Sequence, residues 1–250
     1  MENWDDIKAW RKARRGELIA ARSAFAPGLR KEWNARITAL LEAGFTVPTG
    51  AIIGFCWPYR GEYDARFVVR RWRNRGAVSA LPEVVKKAHP MQFRRWWPGA
   101  PMKPGVYGIP VPVDTEVLLP DVVIVPVNGF DGQGYRLGYG GGYFDRTLAA
   151  LERRVLSIGV GFEALRVPTI YPQQHDIPMD FVVTEAGIYR AGGRELSLLA
   201  AADSAAEASS LLEIRELPRC LFPQLATAGA TPAARGYASP PCYAGEIDPE

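Results

Sequence analysis

The chain has 250 residues, 48% hydrophobic and 23% charged, with a formal net charge of +3. That balance is expected of a soluble globular protein with one large domain, or a domain plus an appendage. No apolar stretch reaches membrane-spanning length, and Asp5, Asp6, Trp4 and Trp10 stand where a secretory signal would be basic and then apolar, so a cytoplasmic protein without a membrane partner is expected. Two helices open the predicted order. The first runs from Trp4 to Phe25 and stops at Pro27-Gly28; the second runs from Leu29 to Leu41 with Trp33, Ile37, Leu40 and Leu41 on one face. Ala51 to Phe55 reads as a buried strand. Asp64 caps a helix through Arg73, with Phe67, Val68 and Trp72 inward, and Gly76 closes it. Ala77 to Leu81 and Met91 to Arg95 read as strands, the second exposed. The proline-rich stretch Pro98 to Pro112 reads as an irregular connection.

Val122 to Val127 is a continuous apolar run and a buried strand. After it comes Gly134-Tyr-Arg136-Leu-Gly138-Tyr-Gly140-Gly141-Gly142-Tyr143-Phe144-Asp145-Arg146, then a helical pattern from Tyr143 to Leu151. A glycine-rich loop that opens a helix lets backbone N–H groups approach an anion closely. Arg136 can fork onto phosphate oxygens. Asp145 at the helix start suits a cap or a metal ligand. A Walker A loop needs Lys and Ser or Thr after its last glycine, and the dinucleotide fingerprint needs a third glycine where Tyr143 stands, so both readings fail. Strands at Val155 to Gly161 and Phe181 to Thr184 complete an alternating order, which implies parallel pairing with ligands beyond the carboxyl ends of the strands.

From Arg194 onward Ala, Ser, Thr and Pro dominate and the strand pattern ends. A domain of residues 1–193 and an extension of residues 194–250 are expected, the latter with a short helix at Ser210 to Leu217, a linker at Ala226 to Arg235 and a turn-rich segment at Ser239 to Asp248 that suits a protein partner. A chain ending near Gly193 is expected to fold. Cys56, Cys220 and Cys242 suggest neither a disulfide framework nor a zinc site, and two histidines argue against a histidine-rich metal site. Positive charge is dense at Lys8, Arg11, Lys12, Arg14, Arg15 and Arg22, and again at Arg66, Arg70, Arg71, Arg73 and Arg75. The first cluster suits an anionic small molecule and the second a solvated helix face, with nucleic acid the less favoured partner for either. Trp57 and Tyr107 suit stacking on a flat ring, or plain packing. Glu62 beyond a strand end suits accepting from a heterocycle, or a helix N-terminal acid.

The glycine stretch resembles the signature of the 5-formyltetrahydrofolate cyclo-ligase family, Arg-Leu-Gly-x-Gly-x-Gly-Tyr-Tyr-Asp, at Arg136, Leu137, Gly138, Gly140, Gly142, Tyr143 and Asp145, with Phe144 replacing a Tyr. Phe130-Asp131-x-x-Gly134 is also similar, and the likeness extends over residues 7–190. Tyr107 to Pro112 resembles the family's Gly-Ile-Pro-Glu-Pro segment with Val111 replacing the Glu. Arg15 to Leu18 keeps the family register at the N-terminus, but Arg11 stands where a Lys is expected and Arg14 replaces a Leu.

The resemblance implies a three-layer α/β sandwich with a mostly parallel sheet, of the ribose-5-phosphate isomerase and CoA-transferase-like group. It implies ATP-dependent closure of 5-formyltetrahydrofolate to 5,10-methenyltetrahydrofolate. ATP would meet Arg11, Lys12, Arg15, Arg136, Gly138, Gly140, Gly141, Gly142, Tyr143 and Phe144, with Arg136 and Tyr143 catalytic. Reduced folate would meet Trp57, Glu62, Tyr107 and Tyr139. Magnesium would sit at Asp145 and Asp176, while Asp180 is structural. Two other classes stay open: a folate- or nucleotide-binding regulator without turnover, and a basic nucleic-acid-binding protein.

Overall fold

Side-chain alternation along one buried strand sets the layers. A computed structural model describes residues 3–151 and 153–214, the side chains of Tyr107 and Ile214 excepted. In chain order its elements are α1 (Trp4–Ser23), α2 (Pro27–Gly44), β1 (Ile52–Gly54), α3 (Arg66–Asn74), β2 (Val78–Glu83), β3 (Gln92–Trp96), β4 (Met102–Pro104), β5 (Pro110–Pro112), β6 (Val117–Leu118), β7 (Val122–Pro126), β8 (Gly129–Phe130), β9 (Arg136–Leu137), α4 (Tyr143–Ala150), β10 (Leu156–Val160), β11 (Phe181–Thr184), β12 (Gly187–Arg190), β13 (Ser197–Leu199) and α5 (Ala201–Ile214). On β7, Val122 and Ile124 join a core with Ile37 and Leu41 of α2, Val68, Val69 and Trp72 of α3, and Ala208 and Leu212 of α5. Val123 and Val125 join a second core with Leu148 of α4, Phe93 and Met179. A period of two thus feeds both faces, and helices cover each.

The sheet runs β13-β12-β11-β10-β7-β1-β2-β3-β6. Its five central strands pair in parallel, as the alternating order implied. Two strands at each margin are antiparallel, which makes the sheet as a whole mixed. The strands that the pattern missed are short or near the margins. The proline-rich stretch expected as irregular holds the β4–β5 hairpin, with Met102 opposite Pro112 and Pro104 opposite Pro110. Prolines are tolerated there because this two-stranded sheet is all edge. The N-cap of α3 is Ala65, one residue after the expected Asp64; Val68 and Trp72 face inward as expected, but Val69 is buried and Phe67 is 57% exposed.

The largest departure lies beyond residue 193. β13 pairs with β12 through Ile188 and Leu199, and α5 packs on α2. The strand pattern therefore continues past Arg194, and a helix begins at Ala201 where one was expected from Ser210. The Ala and Ser content that reads as an extension lets α5 lie close, with Ser204 and Ala208 buried at the contact. Leu217, Ala226 to Arg235, Ser239 to Asp248, Cys220 and Cys242 lie outside the described residues. Leu212, 7% exposed, is the largest apolar side chain that α5 buries. Leu212→Ala should cost about 2 kcal/mol in urea unfolding; a loss under about 0.5 kcal/mol would mean that α5 stands outside the cooperative unit, and the expectation that residues 1–193 fold alone would regain its force.

Candidate active site

α1 turns arginines inward. At 3.6 residues per turn Arg11, Arg15, Leu18 and Arg22 fall within about 60° of each other, and Arg11, Leu18 and Arg22 are buried. A buried guanidinium needs acceptors, and each finds them in a different segment. Arg11 donates through Nε to Ile170 O (2.9 Å) and through Nη2 to Tyr171 O (2.8 Å) and Asp176 Oδ2 (2.5 Å). Arg15 donates to Gly138 O (2.7 Å). Arg22 reaches Asn128 Oδ1 (2.7 Å), Arg60 O (3.0 Å) and the Tyr139 hydroxyl (2.8 Å).

The glycine loop lies beyond the carboxyl end of β7, as expected. Buried Asp131 shapes the turn before it, accepting from Gln133 N (3.0 Å), Tyr135 N (3.1 Å) and Ile170 N (3.1 Å). Burial pushes its carboxyl up against those three bonds. Gly140 has φ +91° and Gly142 φ +60°, left-handed values that favour glycine. A Cβ on Gly140 would stand 3.1 Å from the Arg15 guanidinium carbon. Gly142 is the N-cap of α4 and makes no side-chain cap bond, and the residues of the first turn of α4 line the cleft. Asp145 does not cap the helix. Its Oδ1 accepts from Arg136 Nη2 (3.0 Å) and Ile177 N (3.0 Å), while Arg136 Nη1 donates to Ile177 O (2.7 Å). The fork expected to meet phosphate thus grips Ile177, the residue after Asp176, and ties Asp145 to it. Arg146, absent from the expectations, donates to Gly141 O and lies 5.2 Å from the Tyr143 ring centroid.

Beyond β1, the turn at residues 59–62 carries Glu62. Its Oε1 accepts from the Tyr139 hydroxyl (2.6 Å) and its Oε2 from Tyr59 N (2.9 Å). Burial raises the Glu62 carboxyl above the ordinary glutamate range; Tyr139, Arg22 and Tyr59 N oppose that rise. Burial and the Glu62 charge also raise the Tyr139 hydroxyl and the Cys56 thiol, so that thiol stays neutral at ordinary pH. Trp57 packs edge-on against Trp96 at 5.5 Å, and Arg66 covers its ring at 5.0 Å.

These segments line one cleft of about 270 Å³. It contains every expected site residue with a described side chain: Arg11, Lys12, Arg15, Trp57, Glu62, Arg136, the glycines from Gly138 to Gly142, Tyr139, Tyr143, Phe144, Asp145 and Asp176. The Tyr107 side chain lies outside the described ones. Lys8, Trp4, His175 and Arg146 also line the cleft, and buried Val111 forms part of its apolar wall. Arg22 supports it from behind. The helical spacing 11, 15, 18, 22 was the available signal for Arg22, and Arg146 follows the glycine motif by a single residue. The arginines of α3 line no part of the cleft. Arg71 and Arg75 pair with Glu42, and Arg66 with Asp64, on the surface.

A model of the 5-formyltetrahydrofolate cyclo-ligase family matches residues 7–185, most of the chain. The chain belongs to this family. It is 32% identical to the 5-formyltetrahydrofolate cyclo-ligase of Haemophilus influenzae over 97 residues, 36% of this chain and 52% of that protein. To the enzyme of the same name from Escherichia coli K12 it is 34% identical over 82 residues, 31% of this chain and 45% of that protein. The matched stretches thus span about half the length of these curated relatives. The solved structure of Aquifex aeolicus 5,10-methenyltetrahydrofolate synthetase superposes with a TM-score of 0.61 at 26% identity, covering 75% of this chain and 96% of that one.

Within the cyclo-ligase family pattern, two departures acquire a geometry here. Arg11, in place of a Lys, forks onto Asp176 and two backbone carbonyls, which a single ammonium could not do in one plane. Phe144 keeps the ring that Arg136 approaches at 6.0 Å. Gly138 offers a clean test of the loop, because a Cβ there meets nothing within 4 Å. Gly138→Ala should leave thermal stability unchanged within about 0.5 kcal/mol yet weaken nucleotide binding by about tenfold or more, equivalent to ~1.4 kcal/mol. Unchanged affinity would place the phosphates away from Gly138.

Proposed function

We propose that the protein closes the ring of 5-formyltetrahydrofolate to give 5,10-methenyltetrahydrofolate, converting ATP to ADP and phosphate. The observation that carries this reading is one cleft that brings together two chemically distinct sets of groups. The first is the glycine loop, the start of α4 and Arg11, Lys12 and Arg15. The second is the buried Glu62 carboxylate, held by Tyr59 N and by Tyr139 of the glycine loop. An anion fits the first set and a heterocycle bearing N–H donors fits the second.

A formamide oxygen is a poor leaving group. Its attack on the γ-phosphorus breaks the bond to the β-phosphate oxygen, releases ADP and leaves an imidate phosphate. The neighbouring secondary amine N10, outside the pterin ring, then adds to the activated carbon and loses its proton. Phosphate departs with the former formyl oxygen, and the five-membered ring is closed. The protein need only align the oxygen with the phosphorus and spread developing charge. Arg15, Arg136, the glycine N–H groups and Tyr143 would serve the second task, Glu62, Tyr139 and Trp57 the first. Tyr107, in the segment similar to the family's, is a further candidate folate contact.

Asp145 and Asp176 provide the donor set that magnesium prefers, one or two carboxylates completed by phosphate oxygens and water. Bound there, the ion would neutralise phosphate charge. Each carboxylate already accepts from an arginine, so metal and nucleotide would enter together, leaving the arginines for phosphate oxygens. Membership of the ribose-5-phosphate isomerase and CoA-transferase-like group is consistent with the three layers. A cytoplasmic location is consistent with the described residues, which include no helix long and apolar enough to cross a membrane. Residues 239–248 would offer a contact to a protein partner.

ADP release that depends on added 5-formyltetrahydrofolate, with matching formation of the ring-closed product, is the expected result. Nucleotide binding without turnover would favour a regulator. Titration calorimetry should show magnesium binding at least tenfold tighter with ADP present than alone, a coupling of ~1.4 kcal/mol; equal affinities would remove Asp145 and Asp176 from a shared metal–phosphate site.

A further inference from the structure

We propose that Arg22 is a positioning residue for substrate recognition: from α1 it fixes Tyr139 and the turn at residues 59–62, so that Glu62 meets the ligand as a pure hydrogen-bond acceptor. The proposal deepens the reading of the cleft given above and rests on it.

Arg22 is 1% exposed and lines no part of the cleft surface. All its described bonds point to groups that hold the cleft's acceptor end. A guanidinium has donors only and keeps its proton, so Tyr139 must accept from Arg22 Nη2 at 2.8 Å. The single hydroxyl proton of Tyr139 is then directed to Glu62 Oε1 at 2.6 Å. Tyr59 N supplies the other carboxylate oxygen at 2.9 Å. A carboxylate offers about four lone-pair sites; with two engaged, each oxygen keeps one for the ligand. Such a carboxylate selects two adjacent N–H donors, as on an amino-substituted ring that carries its own N–H. Without Arg22, the Tyr139 proton could turn away, and a buried Glu62 could keep its own proton and become a donor.

The backbone gives a second line of support. Arg60 has φ +46° and Gly61 φ +78°, two successive left-handed residues, the first with a Cβ that disfavours it. Arg22 Nε donates to Arg60 O at 3.0 Å, and its Nη2 lies 3.5 Å from Tyr59 O. The arginine thus clamps the strained turn that presents Glu62. Asn128 is turned to serve it, with Oδ1 accepting from Nη1 at 2.7 Å. Among the described residues the ionisable groups facing Glu62 are Arg22 from α1 at 3.8 Å, Tyr139 from the glycine loop, and half-buried Cys56 from its own segment. Arg60 is exposed and lies over the Tyr59 ring at 5.2 Å.

The test follows the Glu62 carboxyl by carbon-13 titration in the full-length protein without ligand, with Glu62→Gln to assign the signal. Arg22→Gln should raise its midpoint by about one pH unit, because an opposing charge is lost. Tyr139→Phe should raise it similarly, and the double variant should raise it by less than the sum, because Arg22 acts through Tyr139. Arg22→Lys, which keeps the charge but loses the fork, should fall between. Affinity for 5-formyltetrahydrofolate should drop about tenfold in Arg22→Gln, while affinity for ADP stays within about twofold. A folded Arg22→Gln protein whose Glu62 midpoint matches the parent, or strictly additive shifts, would overturn the proposal. If Arg22→Gln does not fold, an unmoved midpoint in Tyr139→Phe would overturn it. A parent that binds no reduced folate would sink the substrate assignment, while the Glu62 titration still decides the role of Arg22.

Discussion

The arginine face of α1 is the constraint on which the cleft depends. Burying Arg11 and Arg22 on one helix, with Arg15 half-buried between them, would cost several kcal/mol for each buried charge without partners. Arg11, Arg15 and Arg22 avoid that cost by bonding to the 170–176 segment, the glycine loop and the 59–62 turn in order along the helix. Those segments follow different strands and lack a common secondary structure. α1 is the element that draws them round one space. Packing alone would not do this, because Leu18 is the only apolar side chain that α1 buries.

The two ends of the cleft therefore share a rigid reference. From Arg11 to Arg22 the helix rises about 16 Å, at 1.5 Å per residue. One end of that span holds Asp176 through Arg11, and the other holds the turn that carries Glu62 through Arg22. Asp131 complements α1 from below, tying the turn before the glycine loop to Ile170, whose carbonyl accepts from Arg11.

The central strands and most of the residues that line the cleft were legible in the sequence because both signals are local. Val122 to Val127 is apolar at every position, as a strand buried on both faces must be. The glycines at 140 and 142 announce backbone that a Cβ disfavours, and both are left-handed. The marginal strands were not legible. β6, β8 and β9 have two residues each, too few for a period of two to show. β13 and α5 were hidden by composition. Small residues that suggest a linker also permit close helix packing, and only the apolar face of α2 decides between the two. Phe67 illustrates the same limit, since the packed face of α3 runs through Val68, Val69 and Trp72 and leaves Phe67 exposed.

The sequence by itself determined the order of buried strands, the glycine loop that opens α4 and the residue types that collect around it, since each depends on neighbours close in the chain. Only the tertiary structure decided which partner each charge takes. Arg136 and Asp145 bond to each other and to the 176–177 segment, and Arg22 leaves the surface cluster to stand behind Glu62. The physical reason is that a buried charge is satisfied by whatever acceptor folding brings within 3 Å. For Arg22 and Asn128 that acceptor lies 106 residues away, a distance over which no local pattern carries information.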